Sequence, residues 1–293
     1  MKHLKGSITA LITPFRDGKI DEKAFGELVE RQISEGTHAL VPVGTTGESA
    51  TLNDAEHERV IRLCVEAAAG RAPVIAGAGS NDTAYAISMA RRVEGFGADG
   101  ILAVTGYYNR PSQAGILAHF TALHDAIDLP IVVYNIPART VVGLSIETLS
   151  KLSRLPRIIA VKDATGDLAR VALQRTHCAK DFIQLSGEDM TAVGFNAMGG
   201  CGCISVTSNV APGLCAEMQN ATLENDYVTA RALQDRLAPL HDALFSDASP
   251  GPAKYALSLM GLCAPELRLP LVEPSEASKA NVRAAMEGLG LLS

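Results

Sequence analysis

Short runs of apolar and β-branched residues recur at regular intervals along the first 209 positions of this chain. Eight such runs occupy residues 7–13, 39–44, 73–79, 100–106, 130–137, 158–165, 182–189 and 202–209. Each run is nearly continuous in apolar residues, which is typical of parallel strands that are buried on both faces. The pattern therefore predicts eight strands whose starts lie 20 to 34 residues apart.

The intervals between the runs have the periodicity of amphipathic helices. In the first interval Phe25, Leu28 and Ile33 recur at helical spacing, and Asn53 and Asn81 are candidate N-caps of later helices. Helices are predicted at 21–35, 53–69, 81–94, 113–127, 145–152, 168–178 and 190–198. Eight alternations of strand and helix predict an α/β protein, a closed (β/α)8 TIM barrel. The alternative is a doubly wound open sheet, but no dinucleotide fingerprint follows the first run.

The remainder of the chain has helical patterns and no further strand. Helices are predicted there at 211–220, 226–245, 251–260 and 275–287. We therefore expect a C-terminal helical extension and divide the chain into a barrel, residues 1–224, and an α-helical domain, residues 225–293.

Length and composition narrow the classes of function. A chain of 293 residues suits one large barrel with an extension. Its net charge of −6 argues against nucleic acid as a partner, because phosphate binding needs clustered cations. No stretch approaches the roughly 18 apolar residues of a membrane span, and the first residues lack the pattern of a signal peptide. We expect a cytoplasmic protein without a membrane partner.

The cysteines and histidines do not form a recognisable metal site. The six cysteines include Cys201 and Cys203, which are spaced C-x-C rather than C-x-x-C, and most are expected to be buried free thiols. The seven histidines are dispersed, without an H-E-x-x-H pattern. We expect no metal and no cofactor, and pyridoxal phosphate is disfavoured because no phosphate-binding loop is evident.

Lys162 is the most informative residue at the predicted strand ends, where barrels of this class carry their active sites. It follows an apolar run and shares a strand face with Ala160, whose small side chain leaves room for a ligand. A buried lysine must be paired, neutral or covalently engaged, and a neutral amine can form an imine with a ketone. The alternative is a lysine that reaches solvent or pairs with Asp163.

Three further features of the rim suggest a site for carboxylates. Tyr134 ends the preceding strand and could relay protons to Lys162, although such a tyrosine can also be a packing residue. The loop 44–49 could offer backbone N–H groups to a carboxylate, or be a plain turn. Arg139 could bind a second carboxylate, or be a solvated charge.

Four motifs carry a resemblance to a known family. They are GTTGES at 44–49, YYNRPS at 107–112, YNIPART at 134–140 and VKDATG at 161–166. With SVTSNV at 205–210, they resemble the dihydrodipicolinate synthase (4-hydroxy-tetrahydrodipicolinate synthase) family. This family belongs to the Schiff-base aldolase superfamily, which includes N-acetylneuraminate lyase.

The resemblance implies a reaction and a set of site residues. Lys162 would form an imine with pyruvate, whose enamine attacks L-aspartate-4-semialdehyde in the diaminopimelate route to lysine. Tyr134, Thr45 and Tyr108 would relay protons, Tyr108 from a neighbouring subunit. The implied substrate-binding residues are Thr46 and Ile204 for pyruvate, Gly187 for space near the imine, and Arg139 for the carboxylate of the semialdehyde.

Two other functions remain open. The first is cleavage of a longer 2-keto acid through the same imine, although the pattern Pro137-x-Arg139-Thr140 resembles the synthases rather than the sialic-acid lyases. The second is a non-catalytic barrel that binds a keto acid.

The chain also departs from the family at Gly106, where a proline usually precedes the two tyrosines.

The resemblance also implies regulation and assembly. Ser49, Ala50, His57, Asn81 and Tyr107 match a site for L-lysine as inhibitor between subunits. Asp54 and Tyr85 stand there in place of a histidine and a glutamate of the enteric enzymes, so we predict a weakened or altered response to lysine. A homo-oligomer built as a dimer of dimers is expected.

Overall fold

All eight predicted strands are present in the computed structural model of the chain, which describes residues 4–292. The strands are β1 (Gly6–Ala10), β2 (Ala39–Val41), β3 (Ile75–Gly77), β4 (Gly100–Val104), β5 (Ile131–Asn135), β6 (Ile158–Asp163), β7 (Ile183–Ser186) and β8 (Gly202–Ser205). They form one parallel sheet in the order β2-β1-β8-β7-β6-β5-β4-β3. A single parallel bridge between Leu40 and Val74 joins its two ends. The predicted TIM barrel is confirmed.

Apolar side chains fill the inside of the barrel. The buried residues of this interior cluster include Ile8, Leu102, Val132, Tyr134, Ala160, Leu185 and Ile204. A second, larger cluster lies between the strands and the surrounding helices. Both faces of the strands are therefore buried, which explains why their sequences are continuously apolar rather than alternating.

The helices follow the predicted intervals closely, apart from the short helix after β5, which was not predicted. They are α1 (Glu22–Ser34), α2 (Asp54–Ala68), α3 (Thr83–Glu94), α4 (Gln113–Ala126), α5 (Pro137–Thr140), α6 (Ile146–Leu152), α7 (Ala169–His177), α8 (Ala192–Ala197), α9 (Pro212–Leu223), α10 (Tyr227–Ala243), α11 (Gly251–Leu259) and α12 (Glu276–Gly288). Asn53 caps α2 as predicted, in a capping box with Glu56. The cap assignment of Asn81 was wrong: Asp82 accepts the N–H of Ala84 instead. The amide of Asn81 is used elsewhere, since it donates to the carbonyl of Tyr107.

One small hairpin was not predicted. Phe15–Arg16 pairs antiparallel with Lys19–Ile20. Asp17 and Gly18 form its turn, both with positive φ, which is the conformation that a two-residue hairpin turn requires. This hairpin places Phe15 in the core, where it is fully buried.

The C-terminal helices share a hydrophobic core with the start of the barrel. Leu237 and Leu257, from α10 and α11, belong to the same buried cluster as Ile12 and Leu28. The extension therefore packs against the barrel rather than standing apart from it, and the division between residues 224 and 225 stays a prediction. Within residues 4–292, no helix combines the length and the apolarity that crossing a membrane needs.

Candidate active site

The strand register brings Lys162 and Tyr134 together. The two residues are direct partners across β5 and β6, and each side chain is 6% exposed. The Lys162 Nζ atom lies 4.2 Å from the centroid of the Tyr134 ring. Ala160, two residues earlier on β6, is fully buried in the interior cluster. The structure therefore places the Lys162 amine two residues above Ala160 and against the face of the Tyr134 ring.

Gly187 follows β7 and approaches the lysine side chain from the other side. Its N–H donates to the carbonyl of Asp163 at 2.8 Å, which holds its backbone against β6. A Cβ atom at this position would lie 3.0 Å from Cε of Lys162 and 2.8 Å from Cβ of Ala164. Any side chain at position 187 would therefore displace the side chain of Lys162 or of Ala164.

Replacing Gly187 by alanine should therefore displace the Lys162 side chain. We expect kcat to fall about 10- to 100-fold, because small misplacements of a reacting group have effects of this size. Steady-state kinetics with pyruvate, together with the rate of borohydride trapping of the imine, would measure the change.

Gly26→Ala is the matched control, because a Cβ atom at this position in α1 meets nothing within 4 Å. An alanine in a helix is ordinarily favourable, so this variant should keep full activity. Equal activity of Gly187→Ala and the wild type would contradict the assigned contact.

The loop 44–49 follows β2 and presents its two threonines differently. Thr46 is 6% exposed, whereas Thr45 is exposed. The hydroxyl of Thr13 donates to the carbonyl of Gly47 at 2.7 Å, which holds the loop against the segment after β1. Thr46 is therefore enclosed by its neighbours, whereas Thr45 is accessible and lines the cavity at this end of the barrel.

A cavity of about 540 Å³ connects several of the predicted residues. Among the residues that line it are Thr45, Tyr134, Arg139, Ser49, Ala50, His57, Tyr85 and Tyr107. Residues that the resemblance assigns to catalysis thus share one cavity with residues that it assigns to lysine binding. Arg139 is exposed and lies in the short helix α5, directly after β5.

Ile204 belongs to the barrel interior. It is 1% exposed on β8, pairs in register with Ile8 on β1, and lies in the same apolar cluster as Tyr134. This position makes it a wall of the barrel mouth rather than a polar contact.

Tyr108 is not brought into the site of its own chain. Its side chain is 90% exposed, and its φ of +66° lies in the left-handed region. Gly106, the departure from the family, lies two residues earlier. A Cβ atom at Gly106 would lie 2.8 Å from Cγ of Pro111, so the ring of Pro111 occupies the space that a larger residue would need.

Two of the residues assigned to lysine binding, Tyr85 and Asp54, form a polar cluster with Arg92. The hydroxyl of Tyr85 donates to Oδ1 of Asp54 at 2.5 Å, and Arg92 pairs with Oδ2 of the same carboxylate at 3.2 Å. The hydrogen bond to Asp54 raises the pKa of Tyr85. His57 is buried, its Nε2 atom lies 2.8 Å from the carbonyl oxygen of Gly77, and burial lowers its pKa.

Two acidic residues next to Gly187 were missed. Glu188 is half-buried, and burial raises its pKa although the charge of Lys162 opposes the shift. Asp189 is buried and accepts hydrogen bonds from the hydroxyl of Ser205 and from the N–H of Val206 at 2.9 Å. Both carboxylates end the predicted strand 182–189, so their place at the rim was the signal that could have found them.

Comparison with known sequences identifies the family of this chain. The model of the family described as "Dihydrodipicolinate synthetase family" matches residues 3–289. A 4-hydroxy-tetrahydrodipicolinate synthase from Parvibaculum lavamentivorans is 60% identical over 288 residues, which cover 98% of this chain and 99% of the relative.

Solved structures with the same fold include two with ligands. A chloride-inhibited dihydrodipicolinate synthase from Acinetobacter baumannii, complexed with pyruvate, has a TM-score of 0.97 and 40% identity, and the match covers 99% of this chain and all of that one. The enzyme from Cyanidioschyzon merolae with lysine bound has a TM-score of 0.95 and 38% identity, over 98% of this chain and 99% of that one. With a family match over nearly its whole length, this chain belongs to the dihydrodipicolinate synthetase family.

Proposed function

We propose that the chain condenses pyruvate with L-aspartate-4-semialdehyde through an imine on Lys162. As a member of this family, the chain is an enzyme, a lyase. Its relatives are named 4-hydroxy-tetrahydrodipicolinate synthase. The proposal adds the substrates and the residue that forms the bond. The observation that carries it is the buried Lys162 amine, 4.2 Å from the centroid of the Tyr134 ring at the carboxyl end of adjacent strands.

The reaction begins with attack of the neutral Lys162 amine on the ketone carbon of pyruvate. Loss of water gives an imine, and removal of a proton from the methyl group gives an enamine. The enamine carbon attacks the aldehyde of the semialdehyde, and the aldehyde oxygen takes a proton to become a hydroxyl group. The substrate amine then attacks the imine carbon and releases Lys162, so that one water leaves overall.

Tyr134 is the proton donor and acceptor in these steps. Tyr134 and Thr45 line the same cavity, which supports a relay through the threonine hydroxyl. Tyr108 completes the relay from a second copy of the chain. Its 90% exposure in a single chain supports this role, and the homo-oligomer that it requires, a dimer of dimers, is part of the proposal.

The two carboxylates bind at different depths. Buried Thr46 meets the carboxylate of pyruvate, and Ile204 forms an apolar wall beside it. Exposed Arg139 binds the carboxylate of the semialdehyde through its guanidinium fork. In an acidic protein, such local donors are what attract an anionic substrate.

An assay of the second substrate tests the proposal against its two alternatives. The wild type should consume pyruvate when L-aspartate-4-semialdehyde is added. Arg139→Ala should have a higher KM for the semialdehyde, while its imine with pyruvate is trapped by borohydride as in the wild type. Release of pyruvate from a longer 2-keto acid, without consumption of the semialdehyde, would favour an aldolase or lyase. Binding of pyruvate without an imine would favour the non-catalytic barrel.

The polar cluster around Tyr85 suggests weak regulation by L-lysine. An ammonium group needs an anionic partner, but Tyr85 is neutral and the carboxylate of Asp54 is already shared by Tyr85 and Arg92. The related enzyme from Cyanidioschyzon merolae has been solved with lysine bound, so a cleft of this family can hold the ligand. In this chain, the cleft offers the lysine ammonium group less negative charge than a glutamate at position 85 would.

L-lysine should inhibit initial rates roughly ten- to hundredfold less effectively than in enteric relatives that carry the histidine and glutamate, because a charge-assisted hydrogen bond of roughly 1.5–3 kcal/mol is missing. Titration of initial rates with L-lysine would measure this, with L-norleucine, which lacks the side-chain ammonium group, as control. Inhibition as strong as in those enzymes would contradict the prediction.

A further inference from the structure

Both ends of the loop that carries Thr45 and Thr46 have an unfavourable backbone conformation. Val43 has a φ of +49° and Glu48 a φ of +53°. Residues with a side chain seldom adopt this left-handed region, and a β-branched residue is a clear outlier there. Such a conformation persists only where the surrounding contacts impose it.

The contacts of the Glu48 side chain come from the C-terminal part of the chain. Its Oε1 atom forms an ion pair with Lys254 of α11, and neither side chain is exposed to solvent. Its Oε2 atom accepts the backbone N–H of Arg268 at 3.1 Å. Both carboxylate oxygens are thus held by residues more than two hundred positions away in the sequence.

The two basic residues are themselves fixed by further contacts. Lys254 Nζ donates to the carbonyl of Glu266 at 2.9 Å and lies 4.1 Å from the centroid of the Phe15 ring. The guanidinium of Arg268 lies 4.3 Å from the same ring and pairs with Glu56 of α2. A buried ion pair contributes little net stability, but each partner restrains where the other can lie, because separating the two charges inside the protein is costly.

Glu48 is linked to Thr45 by a backbone hydrogen bond. Its backbone N–H donates to the carbonyl of Thr45 at 3.1 Å, and its own carbonyl accepts the N–H of Thr51 at 3.0 Å. A shift of Glu48 therefore moves the turn that contains both threonines.

We propose that Glu48 and Lys254 are positioning residues, whose buried ion pair holds the loop 44–49 so that Thr45 and Thr46 face the substrate. The inference rests on the roles proposed above for these two threonines. It makes α11, in the C-terminal extension, part of the active site without contact to the substrate.

Glu48→Gln and Lys254→Met test the proposal by removing one charge each. Because an unpaired buried charge destabilises the fold, the double variant, which removes both charges, is made as well. We expect faster amide hydrogen exchange in residues 43–51, a kcat about tenfold lower and a higher KM for pyruvate. Asn196→Ala is the control, since Asn196 is equally buried but bonds Gly202 at the amino end of β8. It should lower the Tm without changing exchange in the loop or kcat.

A double-mutant cycle with Thr45→Val separates positioning from a general loss of stability. If Glu48 acts through Thr45, adding Glu48→Gln to Thr45→Val costs little further activity, whereas independent effects multiply. Unchanged exchange in residues 43–51 of all three charge variants, with Thr45→Val inactive, would overturn the inference alone. Faster exchange together with a fully active Thr45→Val would overturn the proposed role of Thr45, and the inference with it.

Discussion

Replacing Lys162 by alanine is expected to abolish synthase activity, with kcat at least about 10³-fold lower, because the proposed covalent intermediate forms on the Lys162 amine. Intact-protein mass spectrometry after incubation with pyruvate and borohydride measures the missing step directly. The wild type should gain the mass of one reduced pyruvate per chain, and Lys162→Ala should gain none. Because the lysine is 6% exposed, its removal relieves a desolvation cost, and the Tm should not fall.

Lys151→Ala is the control for this experiment. Lys151 lies on α6, is about half exposed and pairs with Glu147 at 2.8 Å. Its variant should keep both the adduct and the activity. An adduct of equal yield on Lys162→Ala would remove the central assignment, and a wild type without any adduct would leave the non-catalytic barrel as the better interpretation.

Tyr134→Phe is expected to lower kcat by about 10²- to 10⁴-fold, the range of general acid–base catalysis. The substitution keeps the ring over which Lys162 Nζ lies and removes only the hydroxyl. The imine should therefore still be trapped by borohydride, more slowly, while turnover with the semialdehyde is nearly lost. This separation of trapping from turnover is what distinguishes a proton carrier from a packing residue.

Tyr227→Phe controls for the loss of a tyrosine hydroxyl elsewhere, since Tyr227 begins α10. It should show wild-type kinetics. If Tyr134→Phe matched it, the phenol would be a packing residue, which is the alternative that the sequence left open.

The barrel could be predicted because each strand and each helix has its own recognisable pattern of apolar residues in the sequence. A strand buried on both faces needs a continuous apolar run, and each helix beside it needs an apolar stripe. Where two neighbouring residues can both cap the same helix, the sequence pattern could not decide between them. Asn81 and Asp82 are both good helix caps, and the contact of Asn81 with the backbone of Tyr107 decided between them.

The site was predicted in part for the same reason. Lys162 and Tyr134 end successive strands, so their proximity follows from the parallel register. The partners of Glu48 had no such signal, because Lys254 and Arg268 follow no strand and belong to a part of the chain that shows only helical patterns. Tertiary ion pairs between remote residues have no sequence period that could reveal them.

The distance along the chain between Glu48 and Arg268, 220 residues, has a consequence for synthesis on the ribosome. A chain that emerges amino end first presents Lys162 and Tyr134 long before α11 has been made. Until then the strained loop beside them lacks the partners that impose its shape. If Glu48 and Lys254 position the loop as proposed, the nascent chain passes through a stage at which Lys162 has been translated but the loop is not yet held. The contacts that hold it are supplied only once the chain from α11 onward has been made.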